Sequence, residues 1–339
     1  MEGVRKTVFA QPLSFRGDEK MISQSKLVEI VYPYTKQKKD IVLSIGIVTS
    51  SGAQKFCIGE DGSLLEMTHY SYEIGSITKS FVASLVTTLV NQGIIHLSDC
   101  VWKGITLRQL LTHGSGIAEF PIPNNDIENP FLNIGKDEIR SFLSSAEIDP
   151  KPNWSYSNLG YALIGMYIEE KVNHSFSELL EDYIRNSLKL CNTRIGYEGA
   201  NLFGHNGKEI LTWHWKKESA FLPAGCLVST MDDMISYLKI HMTSAAYSLC
   251  HDTHFETQMP FDMGLSFMKQ KEDGIIFCSG LTPGFSSVIG FDSEKQIGVV
   301  VLSNYCGYGY GNPDTPMGIG FSIVNTLSGN FDIRNNELD

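Results

Sequence analysis

The segment YEIGSITKSF, residues 72–81, runs directly into a long apolar stretch, SFVASLVTTLVNQGII, at residues 80–95. That stretch is apolar on most faces, which predicts a buried helix. Ser76 and Lys79 lie three residues apart at its start, so their side chains stack on one face of the first turn. A serine hydroxyl needs a nearby base to become a nucleophile, and a partly buried lysine can be that base. The segment therefore predicts a helix with a nucleophile and its base at the N-terminal end.

Strand patterns lie on both sides of this helix, and helical patterns fill the middle of the chain. The first two strands, 41–50 and 53–59, are separated by Ser51-Gly52, small residues that suit a tight hairpin. Further strands are predicted at 261–270, 274–280, 285–293 and 296–304. Helices are predicted at 21–35, 106–112, 136–145, 157–172, 175–188 and 314–328. Strands at both ends with helices between them predict a sheet built from the two termini and a helical insertion beside it.

This order of elements predicts two interleaved domains. Residues 1–75 together with 226–339 form an α/β domain, and residues 76–225 form a mainly helical domain. We expect the active site in the cleft between them, because ligand sites concentrate at such interfaces.

Composition excludes several classes of protein. A net charge of −11 argues against a nucleic-acid partner, which would need clustered Lys and Arg. No apolar run reaches the roughly 18 residues that span a membrane, and residues 1–21 lack a secretory h-region of about 7–15 apolar residues. We therefore expect a cytoplasmic protein. Its seven cysteines are scattered and form no CxxC pair, which favours reduced, mostly buried thiols over disulfides or a structural zinc site. Cys250, His251 and His254 form a small cluster more typical of a loop than of a metal site.

Two further segments carry groups suited to acyl transfer. In NWSYSNLGYALIG, residues 153–165, Tyr156 can pass a proton and Asn158 can hold both Lys79 and a substrate carbonyl. The alternative is a core tyrosine followed by a helix cap. In FCSGLTPGFSS, residues 277–287, Gly280 permits close approach of a ligand, and a strand-edge N–H can complete an oxyanion hole. The alternative for this segment is a simple turn.

In their order and spacing, the three segments resemble those of the penicillin-recognising serine hydrolases, most closely the class C β-lactamase-like branch. Residues 105–117, 155–172, 222–238 and 290–304 resemble that family's framework segments, so the resemblance covers roughly residues 40–305. It implies an α+β fold, an α/β sandwich whose antiparallel sheet comes from both termini and is flanked by helices, with a helical domain inserted.

The resemblance also implies a role for individual residues. Ser76 is the expected nucleophile, and Lys79 with Tyr156 the acid/base pair. Asn158 is expected to contact the substrate carbonyl. The backbone N–H groups of Ser76 and Leu281 are expected to form the oxyanion hole.

The third segment departs from the family. Where the family usually has Lys or His followed by Thr, this chain has Cys278 and Ser279, followed by the expected Gly280. A cation at that position helps to bind a substrate carboxylate, and a neutral thiol does so poorly. The departure therefore disfavours β-lactamase and carboxylate-directed peptidase activity more than it disfavours acyl transfer.

The predicted function is that of a cofactor-independent acyl hydrolase or acyltransferase that forms an acyl-enzyme on Ser76. Its partner is a small ester, amide or peptide, and an esterase or a specialised peptidase ranks ahead of a β-lactamase. A catalytically silent penicillin sensor or scaffold is the alternative from another class. A biosynthetic acyltransferase or cyclase is a further variant. The sequence does not predict an oligomeric state.

Three other features have weaker signals. His113 is expected to be a packed, hydrogen-bonded histidine. The segment Trp213-His214-Trp215 suits either a lid over the acyl pocket or surface packing. The glycines of GYGYGN, residues 307–312, miss the GxGxxG spacing and predict a loop that lines the cleft.

Overall fold

A computed structural model describes residues 21–122, 129–146, 148, 153–196, 201–206, 208–210, 213–307, 309–310 and 312–329. The α-helices in these residues are α1 (Gln24–Thr35), α2 (Thr78–Asn91), α3 (Leu107–Leu111), α4 (Lys136–Ser145), α5 (Asn158–Val172), α6 (Phe176–Asp182), α7 (Leu222–Gly225), α8 (Met231–Thr243), α9 (Ser248–His251) and α10 (Pro316–Ser328). The strands are β1 (Leu43–Thr49), β2 (Gly52–Ile58), β3 (Ser71–Glu73), β4 (Cys100–Trp102), β5 (Ile105–Thr106), β6 (Arg194–Ile195), β7 (Gly204–His205), β8 (Glu209–Ile210), β9 (Leu227–Thr230), β10 (Phe261–Met263), β11 (Met268–Gln270), β12 (Ile276–Leu281), β13 (Ser286–Asp292) and β14 (Ile297–Ser303).

The main sheet confirms the prediction that both termini build one antiparallel sheet. Its strand order is β10-β11-β12-β13-β14-β1-β2, and every neighbouring pair is antiparallel. All residues of β13 and β14 are buried, as expected for central strands covered on both faces. Helices α1 and α10 pack together over one face, and α8 packs on the other.

Two hydrophobic cores follow from this layering. One of them, which we call the second core, lies between the sheet and the helices α1 and α10. It includes Leu27, Ile45, Val301 and Ile323. The first core lies on the α8 face and continues without a break into the helices inserted between β3 and β9. The edge of the sheet at β10–β12 therefore lies between the two cores, where a cavity can reach both.

The structure corrects several predicted boundaries. The helix predicted to end at residue 95 ends at Asn91, because Gly93 adopts a left-handed φ of 73°. The strand predicted over 261–270 is two strands, since the chain turns between them at Ser266, φ 68°. The helix predicted over 175–188 is α6 followed by one π-helical turn, Tyr183–Ser187. The sequence patterns do not predict α8.

A small sheet, also not predicted, holds the start of α2. Its strand order is β3-β9-β6, and β3 leads directly into the turn that carries Ser76. The Ile74 N–H continues the pairing by donating to the Leu227 carbonyl at 3.1 Å. Backbone hydrogen bonds therefore fix the chain immediately before Ser76.

Cys250 and the two histidines near it are packing groups in this structure. All seven cysteines are free thiols. The Cys250 thiol lies 3.2 Å from the Thr87 hydroxyl, the His251 imidazole 2.9 Å from that of His241, and His254 Nε2 2.8 Å from the Leu249 carbonyl. Within the ranges given above, no three potential ligand side chains form a metal-binding group, and no helix is long and apolar enough to cross a membrane.

Candidate active site

Ser76 lies on a single 3-10 turn, Gly75–Ile77, directly before α2. Gly75 has a left-handed φ of 48°, and a Cβ there would lie 2.7 Å from both the backbone N and O of Leu281. Only glycine allows this close approach. The approach places the turn that carries Ser76 against the end of β12.

Lys79 is buried among three polar partners. Its side chain is 2% exposed, and its ammonium nitrogen lies 3.1 Å from Ser76 Oγ, 2.9 Å from Asn158 Oδ1 and 2.6 Å from the Ala224 carbonyl. Burial lowers the pKa of Lys79 to about 7, while the Glu119 carboxylate acts in the opposite direction. Lys79 can therefore hold a neutral amine near neutral pH, and that amine can accept the Ser76 proton.

Tyr156 faces Lys79 across Ser76. Its hydroxyl lies 2.6 Å from Ser76 Oγ, and Lys79 Nζ lies 4.8 Å from the centre of its ring. The side chain is 42% exposed, so an incoming substrate can reach it. The phenol is thus in position to exchange protons with Ser76 and with a bound substrate.

His113 supports this tyrosine and is packed, as expected. Its Nδ1 accepts a hydrogen bond from the Ser157 N–H at 3.1 Å, and its ring centre lies 4.5 Å from that of Tyr156. Burial, reinforced by the Lys79 charge, lowers the pKa of His113 to about 3. The imidazole is therefore neutral near pH 7 and acts as an acceptor.

Asn158 is not the cap of its helix, so the alternative interpretation of this residue is wrong. Ser157 caps α5 by accepting from the Gly160 N–H at 3.0 Å. The Glu119 carboxylate accepts from the backbone N–H groups of Asn158 and Leu159, at 3.0 and 3.3 Å. With the helix end satisfied in this way, the Asn158 amide is available to hold Lys79.

The end of β12 offers a backbone donor toward Ser76. The Thr282 N–H donates to the Phe285 carbonyl at 3.0 Å, and bonding alternates along an antiparallel pair. The N–H of Leu281 therefore faces away from β13, toward the Gly75 turn. A Cβ on Gly280 would lie 1.9 Å from the Ile74 carbonyl, so glycine is needed there as well. This placement supports the predicted oxyanion hole and argues against a simple turn.

Cys278 lies deep in the wall of the same cavity. The thiol is 2% exposed, its sulfur lies 3.5 Å from the Ser266 carbonyl, and burial raises its pKa well above the ordinary value. A neutral thiol therefore occupies the position of the family's cation. Ser279 beside it is half-buried at the cavity wall.

The site opens into a cavity of about 530 Å³, and its apolar lining residues fall into two groups, which we call its two arms. The helical arm is lined by Phe131, Trp213 and Trp215, whose ring centres lie 6.0–6.3 Å apart on the side of the first core. The sheet arm is lined by Trp154, Met259, Phe261, Met268, Tyr310 and Met317. All of these except Met259 belong to the second core or pack against it. Among the described lining residues, the basic side chains are Lys79 and the neutral His113.

The two segments with weaker signals also reach this cavity. Trp213 and Trp215 of the aromatic segment line it, as do Gly307, Gly309 and Tyr310 of the glycine-rich loop. Residues 308 and 311 of that loop lie outside the described residues.

Glu73 is a buried carboxyl that the sequence interpretation missed. It lies three residues before Ser76 and accepts hydrogen bonds from the Thr282 hydroxyl, at 2.6 Å, and from the Trp213 backbone N–H. Burial raises the pKa of Glu73 to about 7. It links β3, the end of β12 and the helical arm. A carboxylate between Tyr72 and Ile74 in a buried strand was the available signal.

Comparison with known proteins identifies relatives over most of the chain. A sequence model of the Beta-lactamase family matches residues 69–315. Protein flp of Staphylococcus aureus (strain MW2) is 25% identical over 272 residues, which cover 69% of this chain and 52% of that protein. A β-lactamase of Providencia stuartii is 27% identical over 241 residues, which cover 66% of this chain and 61% of that protein. The chain thus spans about half the length of Protein flp.

Solved structures agree on the fold. The octameric penicillin-binding protein homologue from Pyrococcus abyssi matches with a TM-score of 0.73 and 23% identity, covering 91% of this chain and 77% of that one. A class C β-lactamase from Rhodobacter sphaeroides matches with a TM-score of 0.71 and 19% identity, covering 89% and 98%. These similarities confirm the predicted α+β fold of the β-lactamase and transpeptidase type. With a family match that spans well over half of its residues, the chain belongs to the Beta-lactamase family.

Proposed function

We propose that the chain is a serine acyl hydrolase that forms an acyl-enzyme on Ser76 and acts on small, uncharged esters, with amides or peptides as slower substrates. The observation that carries this proposal is the position of Ser76 Oγ, 3.1 Å from Lys79 Nζ and 2.6 Å from the Tyr156 hydroxyl. One hydroxyl between a lowered-pKa amine and a phenol is the arrangement that activates a nucleophile and then returns its proton.

Acylation follows from these contacts. Neutral Lys79 takes the Ser76 proton as the oxygen attacks the substrate carbonyl, and a tetrahedral oxyanion forms. The N–H groups of Ser76 and Leu281 stabilise its charge. When the intermediate collapses, the bond to the leaving oxygen breaks, and the proton passes from Lys79 through Tyr156 to that oxygen.

Deacylation uses the same pair in the opposite direction. A water molecule attacks the acyl carbon, and its proton passes to the Tyr156–Lys79 pair. The bond to Ser76 Oγ then breaks, and the serine recovers a proton. An alcohol or amine in place of water gives an acyl transfer, which is the acyltransferase variant of the same chemistry.

The lining of the cavity favours substrates without a negative charge. In the described part of that lining, Lys79 is held by Asn158 and Ala224, and His113 is neutral. Neither is placed to bind a carboxylate, and Cys278 contributes no charge. A carboxylate that enters the cavity loses its hydration, and this loss costs free energy because no cationic partner in the cavity replaces the water. We therefore rank uncharged esters ahead of penicillins.

A matched pair of esters tests the proposal. 4-Nitrophenyl butyrate and 4-nitrophenyl hemisuccinate have similar shapes and the same leaving group but differ in a carboxylate. We expect the protein to turn over the butyrate, with a kcat/KM at least about tenfold above that of the hemisuccinate. Ser76→Ala should abolish turnover, whereas Ser236→Ala, on the exposed side of α8, should not.

Two outcomes would contradict the proposal. Turnover that survives in Ser76→Ala would remove the nucleophile assignment. A stable adduct on Ser76 without turnover of any ester would instead favour the penicillin-sensor alternative, because a sensor acylates without deacylating.

A further inference from the structure

We propose that the sheet arm of the cavity binds the apolar alcohol portion of an ester substrate, so that the enzyme selects small, uncharged esters whose alcohol is an extended apolar chain. This inference rests on the proposed function and adds a substrate class to it. Three features carry it: the direction in which the leaving group must lie, the chemistry of the arm, and its place in the fold.

The position of Tyr156 sets the direction. The leaving oxygen must receive its proton from the Tyr156 hydroxyl, so it lies on the tyrosine side of the reacting carbon. The carbonyl oxygen lies on the opposite side, against the N–H groups of Ser76 and Leu281. The alcohol therefore extends away from Ser76 past Tyr156.

Aromatic contacts lead from Tyr156 into the sheet arm. The ring of His113 lies 4.5 Å from that of Tyr156 and 6.4 Å from that of Trp154. Trp154 packs edge-on against Phe261 at 5.3 Å, and Phe261 lies 5.6 Å from Tyr310. The sheet arm is thus the arm that adjoins the proton donor.

The helical arm is linked to a different part of the site. Trp213 bonds through its backbone to Glu73, which in turn bonds Thr282 at the end of β12. This arm therefore adjoins the oxyanion side of the nucleophile. The acyl group extends from the carbonyl in the other direction. It therefore lies in the helical arm.

The sheet arm is lined by side chains that suit an apolar chain. Met259, Met268 and Met317 have flexible, polarisable thioethers that adapt to ligands of varied shape. Phe261 and Trp154 supply broad apolar surfaces. The Tyr310 hydroxyl lies 3.3 Å from the Gln270 amide, which gives its polar end a partner within the protein. No described residue of this arm carries a charge.

The place of the arm in the fold makes it accessible. β11 pairs with β12 only through Met268 and Lys269, opposite Phe277 and Ile276. Residues 278–281 of β12 extend beyond that pairing, and the cavity follows their edge toward Met317 on α10. An apolar chain entering here contacts Cys278, which belongs to the first core, and then side chains of the second core such as Met317.

Acetate esters of primary alcohols provide the test, because ethanol and hexanol are nearly equal as leaving groups. Full burial of one methylene is worth about 0.8 kcal/mol, or roughly fourfold in kcat/KM. Hexyl acetate has four more methylenes than ethyl acetate. With partial burial, we expect its kcat/KM to be higher by at least about tenfold. Ethyl hexanoate measured beside ethyl acetate reports on the acyl side separately.

Two exposed methionines provide a matched pair of variants. Met259 lines the sheet arm and is 42% exposed, whereas Met67, 44% exposed, does not line the cavity. Met259→Asp should remove most of the preference for hexyl over ethyl acetate, because it places a charge beside the apolar chain. Met67→Asp should leave both rates unchanged. Met268→Gln, which adds a polar group without a charge, should give a smaller loss of the same preference.

The outcomes separate this inference from the function on which it rests. Turnover of ethyl acetate without discrimination between the alcohols would overturn the assignment of the arm and leave the hydrolase proposal intact. A preference that survives Met259→Asp, or a Met259→Asp effect on the acyl series alone, would also overturn it. Failure to turn over any ester would overturn both.

Discussion

The N-terminal end of α2 and the strand β12 face each other across Ser76, and they differ in what they keep of the family's pattern. The α2 end holds a buried amine with three polar partners within 3.1 Å. On β12, the position that usually carries a cation holds a buried neutral thiol, Cys278. In the proposed function, the chemistry of acyl transfer and the recognition of a carboxylate therefore belong to separate segments. This chain keeps the first segment and alters the second.

Loss of the proton-handling groups should give the largest effect. Lys79→Ala and Tyr156→Phe should each lower the acylation rate by about 10²–10⁴-fold, the usual contribution of a positioned acid or base. The losses should not add in the double variant, because the two groups act as a unit. Tyr32→Phe is a matched control, since Tyr32 is also 42% exposed but does not line the cavity. Stopped-flow acylation measures these rates, and near-normal acylation in Lys79→Ala would point to another base.

Restoring the cation on β12 should give a smaller effect, confined to selectivity. Cys278→Lys or Cys278→His should raise kcat/KM for 4-nitrophenyl hemisuccinate, relative to the butyrate, by roughly tenfold. The same change should raise acylation by penicillins. Circular dichroism establishes that the variants fold. An unchanged ratio in a folded variant would show that Cys278 does not decide substrate charge.

The pH dependence of acylation tests the electrostatics of the α2 end. Because neutral Lys79 is the base, kcat/KM should rise with pH through about 7 and become constant above it. The Glu119 charge favours the protonated amine, so Glu119→Gln should shift this rise to lower pH. Exposed Glu66→Gln is the control. A rise that moves to higher pH in Glu119→Gln would contradict this assignment.

A separate effect, on stability, is expected at Glu73. Its pKa is about 7 in the folded chain, above the ordinary value of 4.5, so the folded state binds more protons between these pH values. The free energy of unfolding contributed by this group therefore falls as pH rises from about 4.5 to about 7. The Glu73→Gln variant lacks this pH-dependent decrease. The free energy of unfolding of the variant, relative to that of wild type, should therefore increase between pH 4.5 and 7 by on the order of 2 kcal/mol. Urea unfolding at several pH values measures the difference, and a pH-independent difference would contradict it.

Much of the fold could be predicted because its strands and helices carry strong local patterns. The apolar centres of β13 and β14 reflect burial on both faces, and the spacing of apolar residues in α10 reflects packing of one helix face. The short strands β3, β9 and β6 could not be predicted in this way, since two to four residues carry little periodicity. Their pairing is set by tertiary contacts.

The same distinction applies to the site: residues in recognisable local segments could be predicted, and residues contributed by distant parts of the chain could not. Ser76, Lys79, Tyr156 and Asn158 could be proposed from their segments together with the resemblance to the family, and the structure brings them within hydrogen-bond distance of one another. Glu119 and the Ala224 carbonyl could not, because they reach Lys79 and α5 from distant parts of the chain. The two arms of the cavity depend on side chains from five or more separate segments. No local pattern marks those residues as neighbours.

The most direct test of the account is covalent labelling of Ser76. Intact-mass spectrometry after treatment with a fluorophosphonate should show one adduct per chain, and peptide mapping should place it on the segment that contains Ser76. The same treatment of Ser76→Ala should show none. An adduct that persists in Ser76→Ala, or that maps to Cys278 or another residue in wild type, would contradict the assignment of Ser76 as the nucleophile.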